Sequence, residues 1–319
     1  MAAGGAVLGH VTFVHGIGNK PEPDELLRQW RVALVDDDGL DFDAWGVTSS
    51  MVYWADMLYE APAPVGSGQE STELELENSV DAEDADLSWL DDVPSGERDF
   101  VQRLAREVGF ITVTATPEDV PDPIFPASPL EAVPLPPWLK RRLMRVFLRD
   151  VHHYLFNAEF SPRQAESFRI RRDVRARALD VLREGAARPG PHLVVGHSLG
   201  SVIAYDLLTG PDDAPRVDAL LTVGSPLGIS EVQDGLTPPW TRDDGWPAQR
   251  LGEGLWTNVY DPLDPVCGGF DRKIAGDYRY GGMVRVVDVG VSNRGSWRHS
   301  IGKYLGQEQL RACLRDILE

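Results

Sequence analysis

Short apolar runs alternate with longer stretches of helical period along most of this chain. His10-Val11-Thr12-Phe13-Val14 is β-branched and aromatic, and it runs into His15-Gly16-Ile17-Gly18-Asn19. That pattern predicts a strand entering a glycine-rich turn. Asp24 then stands where it can cap a helix carrying Leu26, Leu27, Trp30 and Leu34. Val47 to Trp54 is a second strand candidate. The rhythm resumes after residue 160. Ser161-Pro162 can open a helix whose stripe is Ile170, Val174, Ala178, Val181 and Leu182, with Gly185 as its stop. Strands follow at His192–Val195, Ala219–Val223, Leu255–Tyr260 and, last, Met283–Val289. A closing helix from Ile301 carries Leu305, Leu310, Cys313, Leu314 and Ile317. Apolar strands separated by helices predict an α/β fold, a mostly parallel central sheet with helices on both faces.

The middle of the chain breaks this rhythm. Ala61-Pro62-Ala63-Pro64 and Gly66-Ser67-Gly68 resemble a linker, and Glu70 to Asp99 is dominated by Glu and Asp. Such a segment buries little apolar surface and is expected to be mobile, with Leu87, Trp89 and Leu90 docking locally. A helix is expected from about Phe100, then a short strand by Thr114, then a proline-rich stretch over 121–137. From Trp138 a helix places Leu139, Leu143, Phe147, Val151 and Leu155 on one face, with Lys140, Arg141, Arg145 and Arg149 elsewhere. Two readings stand for residues 138–156: a cap helix packing on the body, or a surface for peripheral contact with lipid. The division expected is a core of residues 1–60 and 161–319 with a cap or lid insertion over 61–160. The acidic segment of that insertion spans about 66–99.

Composition narrows the functional classes. The 319 residues are 42% hydrophobic and 25% charged, room for one large domain with insertions or two modest ones. A net charge of −19 argues against a nucleic-acid surface, which needs clustered cations, and against general adsorption to anionic membranes. Two cysteines and an N-terminus without a basic, apolar leader pattern suggest a cytoplasmic setting. Neither a metal nor a cofactor is called for: no His, Cys, Asp and Glu group has ligand spacing, and adjacent His152-His153 should diverge on a helix. Glycine-rich phosphate motifs are absent as well.

The chemistry centres on Gly196-His197-Ser198-Leu199-Gly200, which follows an apolar strand and opens a helix. G-x-S-x-G in that setting is a nucleophile elbow. A serine there needs a base, and the base needs an acid to hold its tautomer. Among seven histidines, His299 lies on the loop between the last strand and the closing helix, where a base is required. The acid is expected after the preceding strand, in Asp261-Pro262-Leu263-Asp264-Pro265-Val266. Either aspartate could serve. Asp264 is preferred because the two-proline turn ends on it, which leaves Asp261 to shape the turn. For the oxyanion, the N–H groups of Leu199, at a helix start, and of Ile17, in the glycine-rich turn, are the candidate donors.

With those residues assembled, the chain resembles a serine hydrolase of the α/β-hydrolase superfamily, on the lipase and esterase side. The resemblance rests on His15-Gly16-Ile17-Gly18, the Ser198 elbow, Gly224-Ser225-Pro226-Leu227-Gly228, Asp264-Pro265-Val266 and His299, in the order Ser…Asp…His. It covers roughly the first sixty residues and everything from about 165 onward. It implies a six-stranded core, since the N-terminal strand already carries the oxyanion turn and the family's first strands are missing. It also implies an acyl-enzyme mechanism on carboxylic esters. The basic helix together with Trp240 and Trp246 favours lipid-like or medium-chain acyl esters as the small-molecule substrate. A thioesterase, amidase or acyltransferase would use the same residues. A non-catalytic scaffold binding a protein through the acidic insert and the basic helix is the alternative of another class.

Overall fold

A computed structural model describes residues 9–64, 88–108, 137–211, 213–267, 273–294 and 297–319. Most of the acidic stretch, the strand expected near Thr114 and the proline-rich stretch lie outside these residues. The chain runs β1 (Gly9–Val14), α1 (Pro23–Val35), α2 (Phe42–Trp45), β2 (Val47–Val52), α3 (Ser95–Glu107) and α4 (Pro137–Leu155). It continues through β3 (Glu159–Phe160), β4 (Phe168–Arg169), α5 (Ile170–Ala186), β5 (His192–His197), α6 (Leu199–Thr209) and β6 (Ala219–Val223). The last part holds α7 (Ser230–Asp234), α8 (Ala248–Leu251), β7 (Leu255–Tyr260), β8 (Arg279–Tyr280), β9 (Met283–Val284), β10 (Val287–Gly290), α9 (Ile301–Leu305) and α10 (Glu308–Leu318).

Six strands form one sheet in the order β10-β7-β6-β5-β1-β2, and every pairing is parallel. Parallel pairing buries both faces, and every residue of β1, β5 and β6 is buried. Alternate side chains divide the core in two. Val11, Phe13, Leu193, Val195 and Leu221 pack with Trp30 and Leu34 of α1 and with Leu305, Leu310 and Leu314 of α9 and α10. On the other face, Val14, Val52, Val194 and Leu220 pack with α5 and α6. Phe147, Val151 and Leu155 of α4, with Phe100 and Leu104 of α3, belong to that same cluster. Trp89 and Leu90 are packed against it.

Arg171 and Arg175 of α5 both pair with the buried carboxylate of Asp206 in α6. The hydroxyl of Tyr154 in α4 donates to the same group at 2.7 Å. One fully buried anion thus ties three helices of one face together. Removing the carboxylate would strand two guanidinium groups, and removing both guanidinium groups would strand the carboxylate, the costly case for buried ions.

Several boundaries differ from the pattern. The run Met283–Val289 is not one strand: β9 folds back antiparallel on β8, and β10 starts at Val287. The interruption at Arg285 lets its guanidinium lie 4.8 Å from the Trp246 ring centre and pair with Glu253. The closing helix is two helices, broken at Gly306 and Gln307. Ser161-Pro162 does not open α5; a small hairpin of β3 and β4 intervenes, and the helix begins at Ile170 and passes through Gly185. Helix α1 starts at Pro23, so Asp24 sits in the first turn rather than capping it. Trp246 is buried against Trp256, and Trp240 lies near Tyr278, so both tryptophans pack in an aromatic cluster beside α6.

Candidate active site

Ser198 stands between β5 and α6 with φ 54 and ψ −130, an uncommon backbone conformation for a residue with a side chain. Its environment tolerates no bulk nearby. A Cβ on Gly200 would fall 2.2 Å from the Val14 carbonyl oxygen, and one on Gly16 would fall 2.7 Å from Ser198 Cβ. These glycines allow β1, the turn after it and the start of α6 to converge on the serine. Ser201 Oγ donates to the Ser198 carbonyl at 2.5 Å and lies 2.6 Å from Ser225 Oγ. This hydroxyl pair buttresses the elbow from below. Ser225 belongs to the turn after β6 that the sequence singled out, but neither serine was expected here.

His299 and Asp264 meet. His299 Nδ1 lies 2.8 Å from Asp264 Oδ2, and both side chains are buried. The other aspartate oxygen accepts the Val266 N–H at 2.9 Å. Tyr304 of α9 donates its hydroxyl to Asp264 Oδ2 at 2.7 Å and accepts the Asp261 N–H at 3.0 Å. Burial alone would push the Asp264 carboxyl up. The His299 charge, the hydrogen bonds from His299 and Tyr304, and the Val266 N–H outweigh it and hold the carboxyl below its usual range. Asp264 is therefore an anion held for one imidazole nitrogen. That places the proton on Nδ1 and leaves Nε2 as an acceptor.

Asp261 does something else. Its carboxylate accepts the Leu263 and Asn293 N–H groups at 2.8 and 2.6 Å and pairs with Arg298 at 3.1 Å. It shapes the turn and anchors the loop carrying His299. Asp288 accepts from Asn258 and from the backbone of Ile274 and Ala275, away from His299.

His197 has a use the sequence did not suggest. Its ring packs 4.7 Å from that of His299, and its Nε2 lies 2.9 Å from the His299 carbonyl oxygen. A carbonyl only accepts, so Nε2 carries the proton. Burial, then the neighbouring His299, push the His197 pKa well below 6.5, so it stays neutral. A Cβ on Gly224 would fall 3.2 Å from His299 Nδ1 and Cε1, so the ring lies directly over that turn. Ser198 Oγ and His299 Nε2 are both buried, and neither has a hydrogen-bond partner among the described residues.

The glycine-rich turn is tightly held. His15 is buried, with Nε2 accepting the Trp54 N–H at 3.0 Å and Nδ1 lying 2.8 Å from the Gly16 carbonyl oxygen. The first contact requires a bare Nε2, so Nδ1 donates to Gly16. Burial and the Lys20 charge lower the His15 pKa to about 3. Neither Ile17 N–H nor Leu199 N–H meets a backbone or side-chain acceptor among the described residues.

His152 and His153 do not diverge. Both are buried between α3 and α4 with their Nδ1 atoms 3.3 Å apart, and His152 Nε2 lies 2.7 Å from Glu97. Trp89 covers them. Among the described residues, no three His, Cys, Asp or Glu side chains gather as metal ligands, and no helix is long and apolar enough to cross a membrane.

No family model and no curated protein matches the chain. Among solved structures it is similar to TT1662 from Thermus thermophilus, at 13% identity, 98% of this chain, 90% of that chain and a TM-score of 0.42. It is similar to the esterase domain of a Rhodothermus marinus protein, at 18% identity, 46% of this chain, 68% of that chain and a TM-score of 0.30. It is also similar to a YdeN-like hydrolase candidate from Pectobacterium atrosepticum, at 14% identity, 45% of this chain, 68% of that chain and a TM-score of 0.30. By its six parallel strands, its helices on both faces and the strained serine between β5 and α6, the chain has the α/β-hydrolase fold.

Proposed function

We propose that the protein is a serine hydrolase of carboxylic esters, with lipid-like or medium-chain acyl esters as the favoured substrates. The observation that carries the reading is a buried His299–Asp264 hydrogen bond in a fold that also holds Ser198 in a strained elbow. Nothing structural is gained by burying a serine hydroxyl and an imidazole nitrogen without partners. Ser198 Oγ attacks the ester carbonyl while His299 Nε2 takes its proton. The imidazolium is held by Asp264 through Nδ1, and the N–H groups of Ile17 and Leu199 receive the oxyanion. The alcohol leaves with the proton from His299. Water then gives a proton to His299 Nε2 as its oxygen attacks the acyl carbonyl, and the bond to Ser198 Oγ breaks as that oxygen takes the proton back, releasing the acid.

Fluorophosphonate labelling of the wild type and of Ser198→Ala tests the chemistry. Labelling should be abolished in the variant, and turnover of an aryl ester should fall by about 10⁶. Ser198-independent labelling of folded protein would refute it. A series of aryl esters of increasing acyl length tests the substrate class: a sharp optimum at acetyl would sink the lipid-like assignment.

A further inference from the structure

The backbone of the glycine-rich turn is hydrogen-bonded almost atom by atom, and from different parts of the chain. The His15 carbonyl accepts the indole N–H of Trp54 at 3.0 Å, and the Gly16 carbonyl accepts from His15 Nδ1. The next peptide, Ile17–Gly18, is gripped at both ends by charged groups. Its carbonyl oxygen accepts Lys20 Nζ at 2.6 Å, and its N–H donates to Asp150 Oδ2 at 2.8 Å. A cation on the oxygen and an anion on the N–H follow the peptide dipole and strengthen each other through it. Asp150 is itself fully buried. Arg149 pairs with it at 3.0 Å and lies over the Tyr59 ring, and the Tyr59 hydroxyl points at the same carboxylate at 3.3 Å.

We propose that Lys20 and Asp150 are positioning residues that clamp the Ile17–Gly18 peptide so that the neighbouring Ile17 N–H is fixed toward Ser198. A peptide plane turns as a unit, since its C–N bond is rigid. With the planes on either side of Ile17 pinned, the direction of the Ile17 N–H is set before substrate arrives. That is the preorganisation an oxyanion donor requires. The Lys20 charge is close enough to the elbow to help lower the pKa of both His15 and His197. Asp150 comes from α4, so the clamp couples that helix to the reacting centre. The catalytic purpose of the clamp rests on the hydrolase reading, whereas the clamp as a conformational device does not.

The test uses the purified full chain and the variants Lys20→Met, Lys20→Arg and Asp150→Asn. Kinetics are read on two aryl esters of equal length, one neutral and one ending in a carboxylate. Hydrogen exchange at the Gly18 amide is read in parallel. Lys20→Met keeps the aliphatic stem but not the donor. Its kcat should fall about ten- to hundredfold, the range expected for a misdirected catalytic group. KM should hold on both esters, and exchange at Gly18 should quicken. Lys20→Arg should restore most of kcat. Asp150→Asn keeps one acceptor oxygen without the charge and should show a smaller loss of the same kind. A rise in KM confined to the carboxylate ester would make Lys20 a substrate-binding group and overturn the clamp. Unchanged kcat with unchanged exchange would also overturn it. If the wild type shows no Ser198-dependent turnover, the hydrolase reading has failed and the catalytic role of the clamp with it, while Gly18 exchange still reports whether the clamp itself exists.

Discussion

Buried neutral histidines should make this protein sensitive to mild acid, and the size of the expected effect follows from the structure. His15 and His153 have pKa values lowered to about 3 from 6.5, in each case chiefly by burial. His10 and His192, whose rings lie 5.4 Å apart, are lowered to about 4. In the unfolded chain these imidazoles take a proton near pH 6.5; in the folded chain they do not until pH 4 or below. Between those values the unfolded state binds more protons, so stability falls as pH falls. From pH 7.5 to 4.5 each histidine with a folded pKa near 3 costs about 2.7 kcal/mol, at about 1.36 kcal/mol per pH unit. His15 and His153 together remove about 5 kcal/mol, and the His10–His192 pair removes more. A domain of this kind has about 5–15 kcal/mol in total, so unfolding should set in near pH 4.5 to 5. Asp264, with its carboxyl held below the usual range, loses its contribution only at lower pH and does not confuse the window. Urea unfolding followed by tryptophan fluorescence at pH 7.5, 6.5, 5.5 and 4.5 measures the slope. His153→Phe should reduce proton uptake on unfolding by about one proton in this range. A free energy that changes by less than about 2 kcal/mol across the window would refute the reasoning, because even one neutral buried imidazole requires more.

The two aspartates of the proline turn should separate by assay. Asp264→Asn should lower kcat by about 10⁴ through the wrong His299 tautomer, whereas Asp261→Asn should mainly lower the urea midpoint by weakening the Arg298 and Asn293 contacts. If Asp261→Asn is the more damaging to kcat, the assignment of the acid is wrong. Gly200→Ala drives a methyl into the backbone oxygens of Val14 and His15, at 2.2 and 2.6 Å. It should cost about 3 kcal/mol or more in urea unfolding, as overpacking against an immovable group does. A loss under about 1 kcal/mol would mean that α6 moves away from β1 at little cost.

Much of the fold was legible because its signals are local. β1, β5, β6 and β7 are short runs dominated by β-branched, aliphatic and aromatic residues, and each ends where turn residues begin. The serine elbow, the loop position of His299 and the two-proline turn at Asp264 could be ordered along the chain without knowing any contact. What escaped depends on contacts between distant segments. His197 supports the residue 102 positions away. Tyr304 reaches Asp264 across 40 positions, and Asp150 reaches Gly18 across 132. A tyrosine on a closing helix and an acid on a basic helix carry no signal of such roles. The break at Arg285 was hidden for another reason: Met283 to Val289 has strand composition throughout, and the turn is stabilised by Trp246 and Glu253 from another loop. The pairing of His152 with His153 turns on burial under Trp89, which spacing along a helix does not reveal.

Asp150 and Tyr154 stand four residues apart on α4, and thus on one face of it. The first holds the glycine-rich turn and the second holds the base of the elbow helix through Asp206. For anyone replacing the chain ahead of α4, residues 145–155 belong with the packed body rather than with the replaceable part. A splice placed upstream of them leaves both anchor points in register, while one placed downstream would uncouple the two halves of the site even if every residue proposed for catalysis were retained.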